Sequence, residues 1–145
     1  MTNPQGPLPQ LLPYAVAVSA SNQYAGSVAS VHDGDTVHVQ VLDPLLSVPV
    51  VLAVRILGIN TAELSEPGGV EAHAALAGAL VPGTLVTLDG VKPDKYAGRV
   101  VAGITTKTGV SVAAWLIARG LAVPWNGSGP KPPVPWPPTP GEWTV

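Results

Sequence analysis

Asp33 and Asp35 flank Gly34 in the stretch VHDGDTVHV (31–39), where a run of alternating apolar and polar side chains begins. Further along, Arg55 sits inside the apolar run VPVVLAVRILGI (48–59), followed at once by Asn60, Thr61 and Glu63 of NTAE (60–63). A third cluster, DKYAGR (94–99), supplies Asp94, Lys95, Tyr96 and Arg99. Oxygen donors from Asp and Asn, with a backbone carbonyl, suit a hard cation such as Ca²⁺. Planar guanidinium groups suit phosphate. A charge inside an apolar strand is expensive unless paired, so Arg55 needs a partner. Carboxylates beside arginines at strand ends describe a centre that transfers or cleaves phosphate.

The elements that must hold these groups are mostly strands. YAGSVASV (24–31) and TVHVQVLD (36–43) read as two strands joined by a turn at Asp33 and Gly34, and 48–59 as a longer, mostly apolar third. GVEAHAALAGALVPG (69–83) is Ala-rich and of helix length, stopped by Pro82 and Gly83. TLVTLDG (84–90) and GRVVAGITT (98–106) give two more strands. SVAAWLIARG (111–120) gives a second helix, with Ser111 as N-cap and Gly120 at its C-terminal end. This order predicts a β-rich α+β chain, a five-stranded barrel with two packed helices. Asp35 then starts the second strand, Arg55 ends the third and Arg99 starts the fifth.

The 145 residues suffice for one domain with its own core. The absence of cysteine excludes a disulfide framework and any thiolate metal site. Seven basic against nine acidic residues give a net charge of −2, which argues against a broad nucleic-acid footprint and leaves room for a local grip on one or two phosphates. No apolar run has the ~20 residues that span a bilayer, so no membrane is expected. LLPYAVAVSASNQYA has the apolar run and small-residue tail of a secretory segment, but no Lys or Arg precedes Arg55; a cytoplasmic or virion-associated location is expected over secretion. Composition divides the chain into an extended N-terminal arm (1–23), a core domain (24–126) and a Pro/Trp-rich C-terminal arm (127–145). The last packs seven prolines into 130–140 with Trp136 and Trp143, a composition that favours polyproline II and docking in a groove of this chain or a neighbour.

In order and spacing, DGDTVHV, VRILGINTAE, DKYAGRVVA and a helix ending ARGLA resemble the thermonuclease family, the staphylococcal-nuclease-like domains, over about residues 25–123. The resemblance implies an OB-type barrel and Ca²⁺-dependent hydrolysis of phosphodiester bonds in DNA or RNA. Asp35 would be a metal ligand, with Asn60 at a second ligand position and Thr61 contributing its backbone carbonyl. Glu63 would be the general base, Arg55 and Arg99 the phosphate clamps, and Tyr96, with Lys95, would lie beside the nucleotide.

The sequence departs from that pattern in four places. Asn60 stands where an aspartate is usual, which removes a negative charge and should lower Ca²⁺ affinity. Ala62 replaces a proline ahead of Glu63. KYAGR carries one residue more than KYGR, and the Pro-rich arm occupies the place of a closing third helix. Other residues have plainer readings: Asp33 and Gly34 as turn residues, Lys95 as a solvated side chain, Trp115 as core, and His32, His38 and His73 as structural, since their spacing makes no metal triad. The expected activity is therefore a calcium-dependent nuclease. The competing expectation is a binding or structural module on the same barrel, a phage virion component or one that joins other copies or virion proteins through its arms.

Overall fold

The computed structural model describes residues 22–138, so most of the expected N-terminal arm, and Trp143 with the end of the C-terminal arm, lie outside the described residues. Strands β1 (Tyr24–Val31), β2 (Thr36–Leu42), β3 (Pro49–Ile56), β5 (Leu85–Pro93) and β6 (Arg99–Thr106) close into a barrel in the order β1-β2-β3-β6-β5. All neighbours are antiparallel except β3 and β6, which run parallel. This is the expected OB-type α+β architecture. Two short strands, β4 (Ile59–Thr61) and β7 (Ala122–Pro124), form a separate antiparallel pair. The helices are α1 (Gly69–Ala79) and α2 (Val112–Ala118).

Period-two alternation builds the barrel wall. Along β2, Val37, Val39 and Val41 are buried while Gln40 and Leu42 are exposed. Val28, Val54, Ile56, Leu88, Ala102 and Ile104 complete the interior, which Leu76 and Leu80 close from the first helical segment and Leu116 from the second. Burial of this many aliphatic side chains, each worth about 1.5–3 kcal/mol, is the main force behind the fold. Among the described residues no helix is long and apolar enough to cross a membrane.

Two details differ from the sequence expectation. The single strand expected over 48–59 breaks after Ile56, because Gly58 adopts φ +89°, a left-handed conformation that only glycine takes without strain. The chain beyond it pairs with β7, for which the sequence carried no separate signal. The first helix ends at Ala79, stopped ahead of Pro82 and Gly83 as expected, since the ring of Pro82 disfavours helical backbone at Val81. Trp115 is only partly buried, packed against the core from outside with the Arg119 guanidinium 3.9 Å from its ring centroid. The second helix starts as expected, with Ser111 Oγ accepting from the Ala114 N–H at 3.3 Å.

The C-terminal arm lies on the body of the chain. Its described part forms neither helix nor strand. Trp136 packs on the backbone of Gly68, where a Cβ would come within 2.9 Å of the ring, and Pro138 packs on Gly120.

Candidate functional site

The DGD turn is drawn tight by its own side chains. The Asp33 carboxylate accepts from the Asp35 N–H at 3.1 Å, the local bond that makes aspartate a turn former. Gly34 is required for a further reason: a Cβ there would lie 2.7 Å from Thr61 Oγ1 and 2.8 Å from Ala72 Cβ, so the turn seats against β4 and α1 at once. The Asp35 carbonyl accepts from the Ile56 N–H at 2.8 Å, tying the start of β2 to the end of β3.

That register, which opposes Thr36 to Arg55, brings the two charges together. Asp35 Oδ2 accepts from Arg55 Nη2 at 3.3 Å, and both side chains are nine-tenths buried. The partner that Arg55 required is thus Asp35. Thr36 Oγ1 donates to the other carboxylate oxygen at 3.2 Å. Burial, reinforced by the adjacent Asp33, outweighs Arg55 and Thr36 and pushes the Asp35 carboxyl up from 3.8 to about 6.

A pH dependence follows, with a definite sign. Between about pH 4 and 6 the folded chain holds a proton on Asp35 that the unfolded chain has released, so this group favours folding most below pH 4. Its contribution is lost as pH rises through 6. Denaturant unfolding in EDTA should show the difference, wild type minus Asp35→Asn, falling over that window and flat above it. A flat difference from pH 4 to 7 would show that Asp35 is not buried as described.

Arg55 also faces Trp125, whose ring centroid is 5.0 Å from its guanidinium carbon. Trp125 is placed by backbone, its N–H donating to Gly58 O at 2.9 Å, and its indole N–H reaches Ser128 O at 3.1 Å. On the facing side, a turn from Tyr96 to Arg99 absorbs Ala97, the additional residue of KYAGR, with Gly98 at φ +79°. Arg99 forms an ion pair through Nε with Asp94 and lies over the Tyr96 ring at 4.7 Å; Lys95 Nζ is 5.4 Å from the same ring. Burial raises the Asp94 carboxyl, but hydrogen bonds from Arg99 and the Lys95 N–H, with the Arg99 and Arg55 charges, hold it below its ordinary value.

Arg55 and Arg99 line one cavity of about 360 Å³, with Lys92, Lys95, Tyr96, Trp125 and Lys131 around them and Asp94 on its wall. Asn60 and Glu63 face a second cavity, of about 500 Å³, roofed by Lys131, Pro132, Pro133, Val134 and Trp136. Asn60 is buried and donates from Nδ2 to Pro132 O at 3.0 Å, leaving its Oδ1 buried without a hydrogen-bond partner. Glu63 is half exposed; its carboxylate pairs with Lys131 at 3.4 Å and its N–H donates to Glu66 Oε1 at 2.8 Å. Thr61 is buried in β4, opposite Ala122. The structure therefore gathers Arg55, Arg99, Tyr96 and Lys95 on one side and Asn60 and Glu63 on the other, with Lys131 lining both cavities.

Among the described residues no three His, Asp or Glu side chains converge on one point. The histidines are used locally, His38 Nδ1 lying 3.1 Å from Ser30 Oγ and His73 Nε2 3.2 Å from Val31 O. A cation site here rests on one carboxylate, Asp35, with neutral oxygens. Asp35 spends Oδ2 on Arg55 and Oδ1 on Thr36 and lines neither cavity, whereas Asn60 Oδ1 is a buried, unpaired acceptor on β4 that a cation would satisfy.

The sequence reading missed Trp125, Lys92 and Lys131. An aromatic residue just beyond the expected core domain's last helix, and a lone lysine among prolines, were the available signals. No protein-family model matches the chain, and no curated protein matches it.

Proposed function

We propose that the chain is a Ca²⁺-dependent phosphodiesterase acting on nucleic acid at the mouth between Arg55 and Arg99. One observation carries this reading. Of the seven lysines and arginines in a chain of net charge −2, five line a single cavity, with Tyr96 and Trp125 between them and Asp94 the one acid on its wall. Concentrating cations in this way costs self-repulsion, and a polyanion offsets it. Aromatic faces beside the cations, Tyr96 exposed and Trp125 partly so, suit stacked bases.

In this reading Arg55 and Arg99 grip the non-bridging oxygens of one phosphodiester. Asp35 fixes the direction of Arg55 from below, and Trp125 stacks over it. Glu63 accepts the proton of the attacking water as oxygen adds to phosphorus and an ester P–O bond breaks. The arginines balance the charge that develops on phosphorus. Asp35, Asn60 Oδ1 and the Thr61 carbonyl would hold Ca²⁺, which when bound supplies further charge neutralisation beside the phosphate.

The test is digestion of single-stranded DNA with Ca²⁺ and with EDTA. Cleavage should require Ca²⁺, at a concentration above that of sites with two or more carboxylates, since ligand charge tunes affinity. Cleavage that survives EDTA would remove the metal from the mechanism. Binding of DNA without cleavage under either condition would favour the second reading, a nucleic-acid-binding module, for which the engagement of Glu63 by Lys131 is the supporting contact.

A further inference from the structure

We propose that residues 131–138 form a strap that gates the Glu63 side of the site, with Asn60 as its latch. The role given to Glu63 rests on the function proposed above; the strap and its latch do not.

The chemistry of the arm dictates how it can be held. Pro132, Pro133, Pro135, Pro137 and Pro138 have no N–H, so the segment cannot join a sheet as a strand. It retains carbonyl acceptors and ring surfaces, and a surface that receives it must offer donors and close backbone approach. Both are present. Asn60, buried in β4, turns its amide N–H toward Pro132 O at 3.0 Å. Gly68 and Gly120 lack the Cβ atoms that would collide with Trp136 and Pro138.

The identity of residue 60 follows from this arrangement. A carboxylate there could accept but not donate, and would oppose the Pro132 carbonyl with like partial charge. An asparagine donates through Nδ2 to the strap, while its Oδ1 stays buried without a partner. One side chain then connects the position of the arm to the site.

What the strap reaches is the proposed base. Lys131 Nζ engages Glu63 Oε2 at 3.4 Å, with both side chains about half exposed. An exposed pair of this kind is weak and opens readily, whereas the latch behind it is partly buried. Lys131 also lines the phosphate cavity, so an incoming phosphodiester competes with Glu63 for the same ammonium group. Substrate would thereby draw Lys131 off the carboxylate that must take the water's proton.

The experiment uses the full chain. Carboxyl groups are labelled with a carbodiimide and glycinamide, and the rate at Glu63 is read by mass spectrometry relative to Glu71, an exposed carboxylate on α1. Asn60→Ala and Trp136→Ala, each first shown by circular dichroism to be folded, should both raise the relative rate at Glu63 about two- to fivefold, the range an exposed ion pair can set. Trp136→Ala should raise turnover of single-stranded DNA by a similar factor. If one variant fails to fold, the other decides. An unchanged rate at Glu63 overturns the strap, and a raised rate with unchanged or reduced turnover overturns the gating. If the wild type cleaves no nucleic acid with Ca²⁺, the proposed function falls, and the labelling still decides whether Asn60 latches the arm.

Discussion

Replacing Arg55 and Arg99 together by alanine should reduce turnover of single-stranded DNA by at least about a thousandfold, with the chain still folded. A donor aimed at charge that develops in the transition state is typically worth about 3–4 kcal/mol, a factor of roughly 10² to 10³ each, and two that act on one phosphate combine less than additively. Each single substitution should therefore cost most of what the double substitution costs. The two positions differ in their effect on stability. Arg99 is partly exposed at the start of a strand, and its loss leaves Asp94 the hydrogen bond from the Lys95 N–H at 2.8 Å. Arg55 is buried, and its loss strands the Asp35 carboxylate, a change that is destabilising where the partner cannot neutralise itself. Asp35 has that escape, because its carboxyl already titrates near 6 and takes up a proton once the guanidinium is gone. Arg55→Lys keeps the charge but loses the planar fork, and should fall between wild type and alanine in turnover. Steady-state kinetics with melting curves on the wild type and the four variants measures this. A double variant that retains wild-type turnover would remove both arginines from the reaction.

Glu63→Gln should lower turnover by about 10² to 10⁴, the range for loss of a positioned general base. The substitution keeps shape but removes the negative charge and with it the ability to accept a proton. Stability should scarcely change: the single ion pair of Glu63 is about half exposed, and such pairs are worth about 0–1 kcal/mol. The N–H that Glu63 donates to Glu66 is backbone and survives the change. Because Asp35, Asn60 and Thr61 form the candidate cation set without Glu63, the Ca²⁺ concentration for half-maximal activity should stay within about twofold while turnover collapses. A variant whose Ca²⁺ requirement rises instead would assign Glu63 to the metal. One with wild-type turnover would leave the base to another group, and Glu66, hydrogen-bonded to the same loop, is the next candidate.

What the sequence determined by itself is local. The alternation of Val37, Val39 and Val41 set a strand with one buried face, and the structure places all three inside the barrel. Ser111 at the head of a helix and Gly120 at its foot were readable because a cap acts over three or four residues. A buried arginine in an apolar strand announced that it needed a partner, though not which of the acids would serve. Choosing Asp35 required the β2–β3 register, which sets Thr36 opposite Arg55.

The tertiary structure alone decided what lies around those residues. Gly58 breaks a run that reads as one continuous strand, since periodicity cannot show a change of sheet. The resulting pair of β4 and β7 carries Trp125 to Arg55 and leads the arm back across Asn60 and Glu63. Those last contacts join residues 72 and 68 positions apart in the chain. No short-range pattern records such a pairing, because its favourable free energy comes from packed surfaces that meet only after a long loop closes, and the entropic cost of that closure changes only slowly with the number of residues between them. Residue type could say that Asn60 offers an oxygen and an N–H, and that Lys131 is a cation. Only the packing of Trp136 on Gly68 and of Pro138 on Gly120 brings the arm close enough for Asn60 to donate to Pro132 and for Lys131 to reach the Glu63 carboxylate.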